Sequence, residues 1–215
     1  MTENLTINME QLRKFLNGKD HATKTDLLYS ISEEDGMILS IDAETDGLWG
    51  KPFAISAVLV NGRGIVVDKF NAVRKNLDDV VENEWVRENV LPVLDTSESE
   101  EYGLYEDMLR AFAEFYKKYK HIQVVWHMGQ PVEAFLFREL HDHCLIEDFD
   151  APYTPIELST FMLARGIRDI DSTSKFIEKH WLNIDGQDHD PMFDCKSAAL
   201  VYLCITNNVN TLIEM

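Results

Sequence analysis

Two acidic residues separated by one position, Asp42 and Glu44 in "SIDAETDG", are the first residues of this chain whose types and spacing can do chemistry. The second set is a histidine five positions ahead of an aspartate, His189 and Asp194 in "HDPMFDCKSAALVYL". "MILSIDAE" reads as a β-strand, and side chains alternate along a strand, so Asp42 and Glu44 share a face about 6 to 7 Å apart. Two carboxylates on a face that follows apolar "ILSI" are costly to bury without a positive group between them. A divalent cation meets that need, because Mg2+ takes a few hard oxygen ligands together with waters and phosphate oxygens. The competing reading is a D-x-E tripeptide that ends a strand in water. Asp194 stands in the first turn of a helix, where it either presents a third carboxylate at the sheet's edge or serves the helix end as cap or dipole partner. His189, flanked by Asp188 and Asp190, is either a titratable base at a site or a solvated loop histidine.

The elements that must position these residues follow from periodicity. "MILSIDAE", "FAISAVLV" and "GIVVDKF" are β-rich runs with short connections, which predicts an antiparallel meander. Charged "NLDDVVENEWVRENVLPVL" follows, then a helix in "GLYEDMLRAFAEFYKKYK" with Leu104, Met108, Phe112 and Phe115 on one stripe. "IQVVWH" is a short buried strand, and Pro131 suits the first turn of a helix over "PVEAFLFREL". "PIELSTFML" fits either a last strand running into a helix or one helix, and "TSKFIEKHWL" and "FDCKSAALVYLCI" are helical. The order β-β-β-α-β-α-β-α-α predicts an α/β fold with a five-stranded mixed sheet flanked by helices. No linker divides the body, so one domain is expected over residues 36–215. Residues 1–35 form a polar extension with a helical candidate in "MEQLRKFLNG".

Composition bounds the setting. A chain of 215 residues with 45% hydrophobic and 10% aromatic content has enough apolar material for one sizeable core. No apolar run reaches bilayer length and the polar N-terminus lacks a signal-peptide pattern, so a cytoplasmic protein without membrane contact is expected. Cys144, Cys195 and Cys204 have no metal-ligand spacing and read as reduced core thiols. A net charge of −18 gives no general attraction to a polyanion. Carboxylates gathered around divalent cations are the exception to that argument, because the cations neutralise them.

"IDAETDGL" resembles the first motif of the DEDDh 3′→5′ exonucleases, the superfamily of the polymerase proofreading subunit, ribonuclease T and oligoribonuclease. "HDPMFDCKSAA" resembles their third motif, H-x4-D leading into an alanine-rich helix. The resemblance covers roughly residues 38 to 207, and "WVRENVLP" and "PVEA" are similar to segments of small bacterial and phage members. The second motif departs from the family: "WHMGQPVEAFLF" has Glu133 where an aspartate is usual, and His127-Met128 where His-Asn is common. The resemblance implies a ribonuclease-H-like fold and two Mg2+ or Mn2+ ions. It implies Asp42 bridging both ions, Glu44 and Asp194 completing one site, Glu133 serving the second, and His189 as general base. It also places Thr45, Gly47, Leu48 and Trp49 against the terminal nucleotide, with Leu48 or Trp49 stacking on the last base for about 1–3 kcal/mol. Trp49 fits a half-buried loop aromatic equally well, and His127 either touches the terminal sugar or phosphate or caps its strand. The implied partner is a single-stranded RNA or DNA 3′ end, and members of the group often form homodimers. Two other readings stand beside it: a binding or scaffold module whose site Glu133 has degraded, and a different ribonuclease-H-like hydrolase.

Overall fold

The computed structural model describes residues 36–206 apart from 181 and 183, so the extension over 1–35 and its helical candidate lie outside the described residues. The meander is present as β1 (Ile38–Thr45), β2 (Pro52–Val60) and β3 (Val66–Arg74), paired antiparallel in sequence order. All nine residues of β2 are buried, which is why "PFAISAVLV" shows no alternation: a central strand with both faces covered reads as a continuous apolar run. Two short helices follow, α1 (Leu77–Val80) and α2 (Glu84–Asn89). Then come β4 (Glu100–Tyr102), α3 (Tyr105–Tyr119), β5 (Gln123–Trp126) and α4 (Val132–Asp142). The chain continues through β6 (Ile156–Glu157), α5 (Leu158–Ala164), α6 (Thr173–Lys179) and α7 (Pro191–Thr206).

The sheet has six strands in the order β4-β3-β2-β1-β5-β6, one more than expected. The extra strand is β4, whose "EEY" pairs parallel to β3 at the sheet's edge. Charged residues suit an edge strand and hide it from a hydrophobic-pattern reading. The ambiguous "PIELSTFML" resolves as strand into helix, β6 then α5. Within α3 the buried face starts one residue later than expected, since Leu104 is exposed at the N-cap and Tyr105 turns inward. Tyr105 Oη donates to Glu139 Oε2 at 2.9 Å, which joins α3 to α4.

Each face of the sheet carries its own core. Leu39, Ile41 and Ala43 of β1 pack with Met108, Phe112 and Tyr116 of α3 and Leu136 of α4. Ile38 of β1 and Val58 of β2 face α7, with Leu158 and Met162 of α5 and Phe176 of α6 beside it. Helix α7 has no single apolar stripe, because twelve of its sixteen residues are buried; a helix enclosed by protein is apolar all round. Cys195 and Cys204 lie buried on it as expected, whereas Cys144 is exposed, at a left-handed backbone position (φ 56°) after α4.

Ala198 and Ala199 let α7 sit close to the sheet, and Ala199 is wholly buried. Ala199→Leu overpacks that contact and is expected to lower stability by about 1–3 kcal/mol, read as a shifted urea midpoint with an unchanged slope.

Candidate active site

Strand β1 has partners of unequal length. β2 runs beside it as far as Thr45, but β5 pairs only with Ile38, Leu39 and Ser40 before the chain turns away. A crevice opens where an antiparallel neighbour on one side meets a shorter parallel one on the other, outside the carboxyl ends of the strands. The N–H of Ala43 faces no strand there, and Glu133 Oε1 accepts from it at 3.0 Å. Glu133 reaches this position from the first turn of α4 and is only 2% exposed. Glutamate at the second-motif position is therefore built into the sheet.

Asp42 and Glu44 lie on the face of β1 that meets α7, as strand alternation predicts. One ligand oxygen each from Asp42, Glu44 and Asp194 lies within 4.8 Å of the others. Asp194 is free to join them because another residue caps the helix. Asp190, directly before Pro191, accepts from the N–H groups of Met192 and Phe193, and proline suits the first helical position. Asp194 Oδ2 instead accepts from the backbone N–H of His189 at 2.9 Å. His189 has a φ of 71°, a left-handed backbone that turns the loop back towards α7.

These side chains line one cleft of about 280 Å3 together with Glu133, His127 and Met128. His127 Nε2 lies 2.8 Å from the carbonyl of Ile170, so that nitrogen carries the proton and Nδ1 is left without it when the ring is neutral. Met128 is left-handed (φ 56°), and its N–H donates to Glu157 Oε1 at 2.7 Å. Thr45, Gly47, Leu48 and Trp49 do not line the cleft; they form the β1–β2 hairpin tip beside it. Trp49 is 73% and Leu48 61% exposed, so Trp49 is not a half-buried aromatic. Thr45 Oγ1 donates to the carbonyl of Gly47 at 2.8 Å, and Gly47 (φ 75°) lies so near the Asn83 side chain that a Cβ would approach it to 2.7 Å.

Sequence reasoning missed Asp171, Ser172 and Thr173 in the cleft wall. Their pattern had a local reading, since Ser172 caps α6 through the N–H of Lys175. Asp188, in the same wall, accepts from the hydroxyls of Ser172 and Ser174 at 3.3 and 2.9 Å, which ties α6 to the loop carrying His189.

Crowding dominates the electrostatics. Burial, then Asp194, Glu133, Glu44 and Asp190, hold Asp42 well above the usual carboxylate range. Burial, then Asp194 and Glu133, do the same to Glu44. Burial pushes Glu133 up to about 8 against hydrogen bonds from its own N–H and that of Ala43. Burial also pushes Asp194 to about 7 against the bond from His189. The donor set fits a hard divalent cation: every ligand is an oxygen, the group is half-buried, and no lysine or arginine lines the cleft among the described residues. Cys195 lies behind the acids with its thiol donating to the Ser56 carbonyl at 3.2 Å. Burial, then Asp42, raises that thiol well above its ordinary range, so it is inert.

No family model and no curated protein matches the sequence. Solved structures do match by shape. E. coli Exonuclease I in complex with a dA16 oligonucleotide superposes with a TM-score of 0.54 at 13% identity, over 83% of this chain and 42% of its own. Exonuclease X in complex with 5′ overhanging duplex DNA superposes with a TM-score of 0.50 at 17% identity, over 79% of this chain and 92% of its own. The likeness is one of fold, and the fold is ribonuclease-H-like, a mixed sheet flanked by helices. The chain spans less than half the length of Exonuclease I. Among the described residues no helix is long and apolar enough to cross a membrane.

Two predictions follow from the crowded carboxylates. Groups whose folded-state values lie above the ordinary carboxylate range hold extra protons in the folded state, so stability falls as pH rises from about 4 towards 8. In EDTA the melting temperature is expected to drop between pH 5 and pH 8. Asp42→Asn should flatten that fall and stabilise the metal-free protein at pH 8 by about 1–2 kcal/mol, roughly 2–8 °C; an unchanged slope would show that the repulsion lies elsewhere. Glu133→Asp is one methylene short of Ala43, so it should leave that buried N–H unpaired and cost about 1–3 kcal/mol in chemical denaturation.

Proposed function

We propose that this protein is a metal-dependent 3′→5′ exonuclease acting on single-stranded RNA or DNA ends. The observation that carries the reading is the meeting of Asp42, Glu44 and Asp194 within 4.8 Å in a cleft also lined by Glu133 and His189. The two exonucleases of like fold support it, and so does the oligonucleotide bound to one of them. Glu133 lines the same cleft, anchored to the Ala43 N–H between Asp42 and Glu44, which supports an active site over a degraded one.

Asp42, Glu44 and Asp194 would hold one Mg2+ or Mn2+, with Asp42 shared and Glu133 serving a second. When bound, such ions polarise phosphate oxygens, make water acidic near neutral pH and stabilise the leaving 3′ oxygen. The chain's own residues do the rest. Asp194 fixes the backbone of His189 at the cleft wall, and His189 takes a proton from the attacking water as general base. Glu133 keeps one oxygen on the Ala43 N–H, and its other oxygen would serve to hold a second ion. His127, held by the Ile170 carbonyl, lies in the same cleft and would meet the terminal sugar or phosphate. Leu48 and Trp49 stand at the adjoining hairpin tip as an apolar surface for the last base.

The test is a 5′-labelled single-stranded RNA and its DNA counterpart, incubated with Mg2+, Mn2+ or EDTA. A ladder shortening from the 3′ end is expected with metal only, and His189→Ala should slow it by roughly 100- to 10,000-fold. Equal cutting of circular and open substrates would overturn the exonuclease assignment. No cutting by folded protein with either metal would overturn nuclease activity altogether.

A further inference from the structure

A histidine that moves a proton needs its ring held at one angle, and in most sites a carboxylate or carbonyl does this by binding the second ring nitrogen. Among the described residues His189 has no such partner. Its backbone N–H is bound to Asp194, but among the described residues no hydrogen bond reaches either ring nitrogen. Among the described residues the ring has one aromatic neighbour, Trp85, whose ring centre lies 5.5 Å away at an interplanar angle of 89°. That is edge-to-face geometry, the orientation favoured by the charge distribution of aromatic rings.

Trp85 is a poor candidate for an ordinary packing residue, being 55% exposed while its neighbour Val86 is buried. It is nonetheless held firmly. Val86 anchors α2 in a small core with Phe53, Val81 and Val90. The Asn83 side chain caps the helix through the N–H of Val86 at 3.2 Å, and Asn89 Nδ2 donates to the carbonyl of Trp85 itself at 2.8 Å. The start of the helix is bound in turn to the active strand's own hairpin: Asp46 Oδ1 accepts from the N–H groups of Glu82 and Asn83 at 3.0 and 2.7 Å. Asp46 lies two residues beyond Glu44. The metal-binding strand therefore fixes, through one carboxylate, the helix that carries the ring beside His189.

We propose that Trp85 is a positioning residue for His189, holding its imidazole against the cleft by an edge-to-face contact in place of a hydrogen-bonded orienter. The inference rests on the exonuclease reading, in which His189 takes the proton. It deepens that reading by naming what aims the base, and it gives a role to a residue of the charged "NEWVREN" segment, to which sequence reasoning assigned none.

The experiment compares wild type, Trp85→Leu and Trp85→Phe, each shown to be folded by thermal melt. Two readouts are used: steady-state cleavage of a 3′-open oligonucleotide with Mn2+, and the carbon-bound proton shifts of His189 in histidine-labelled, metal-free protein. Trp85→Leu is expected to lower kcat roughly 10- to 100-fold, as a misaimed group does, with KM within about twofold. It should also remove the ring-current displacement of the His189 signals, and Trp85→Phe should restore part of both. His189 shifts that are the same in wild type and Trp85→Leu would overturn the contact whatever the activity. A raised KM with unchanged kcat would overturn it too, making Trp85 a surface for substrate instead. Metal-dependent cleavage by wild type that Trp85→Leu leaves intact sinks this inference alone. Absence of any cleavage by wild type sinks the nuclease reading and the catalytic part of the inference with it.

Discussion

Mutual repulsion among Asp42, Glu44, Glu133 and Asp194 is the constraint around which this fold is arranged. Each of these groups is pushed towards its neutral form by burial before its neighbours push further. Two backbone N–H groups, of Ala43 and His189, hold Glu133 and Asp194, and packing elsewhere does the rest. The alanine-bearing α7 brings Asp194 up to β1, and the apolar cores on both sheet faces keep the strand and the helix in place. Arrangements of this kind are stable only because the surrounding core outweighs local strain, which is the usual bargain between stability and function at a site. Among the described residues no lysine or arginine lines the cleft, so the charge that would offset its carboxylates has to come from a bound cation.

The walls of the cleft are bound to one another by carboxylates that take no part in the cluster. On one side Asp46 joins the β1–β2 hairpin to α2. On the other, Glu157 accepts from Met128 with one oxygen and from Ser159 and the N–H of Thr160 with the other, so that it fixes the turn after β5 and caps α5 at once. Asp188 ties the His189 loop to α6. Acidic residues thus act at two levels, some as candidate ligands and others as acceptors for backbone N–H groups that loops leave unpaired.

Much of this was legible in the chain because the relevant signals are local. Alternation put Asp42 and Glu44 on one face, three β-rich runs with short connections marked the meander, and the helical pattern of "FDCKSAALVYLCI" put Asp194 in a first turn. Features that depend on long-range placement were not legible. Nothing in "EEY" announces an edge strand, because its pairing with β3 is decided by the chain between them. The hydrogen bond of Glu133 depends on β5 ending three pairs into β1, a register no window of residues encodes. Trp85 looked like one aromatic in a charged segment, since its neighbour lies more than a hundred positions away in sequence. Leu104 fitted the helical stripe by spacing, yet a residue at the N-cap has already left the helical face.

The gap beside β1 has one further consequence. In most sheets the exchange of a backbone amide with solvent reports the parting of two strands. The amide of Ala43 is instead covered by a side chain ninety positions away. Its protection is expected to follow the engagement of that one carboxylate, so a single peptide group near the end of the first strand reads the state of the cleft while the rest of the ladder stays closed.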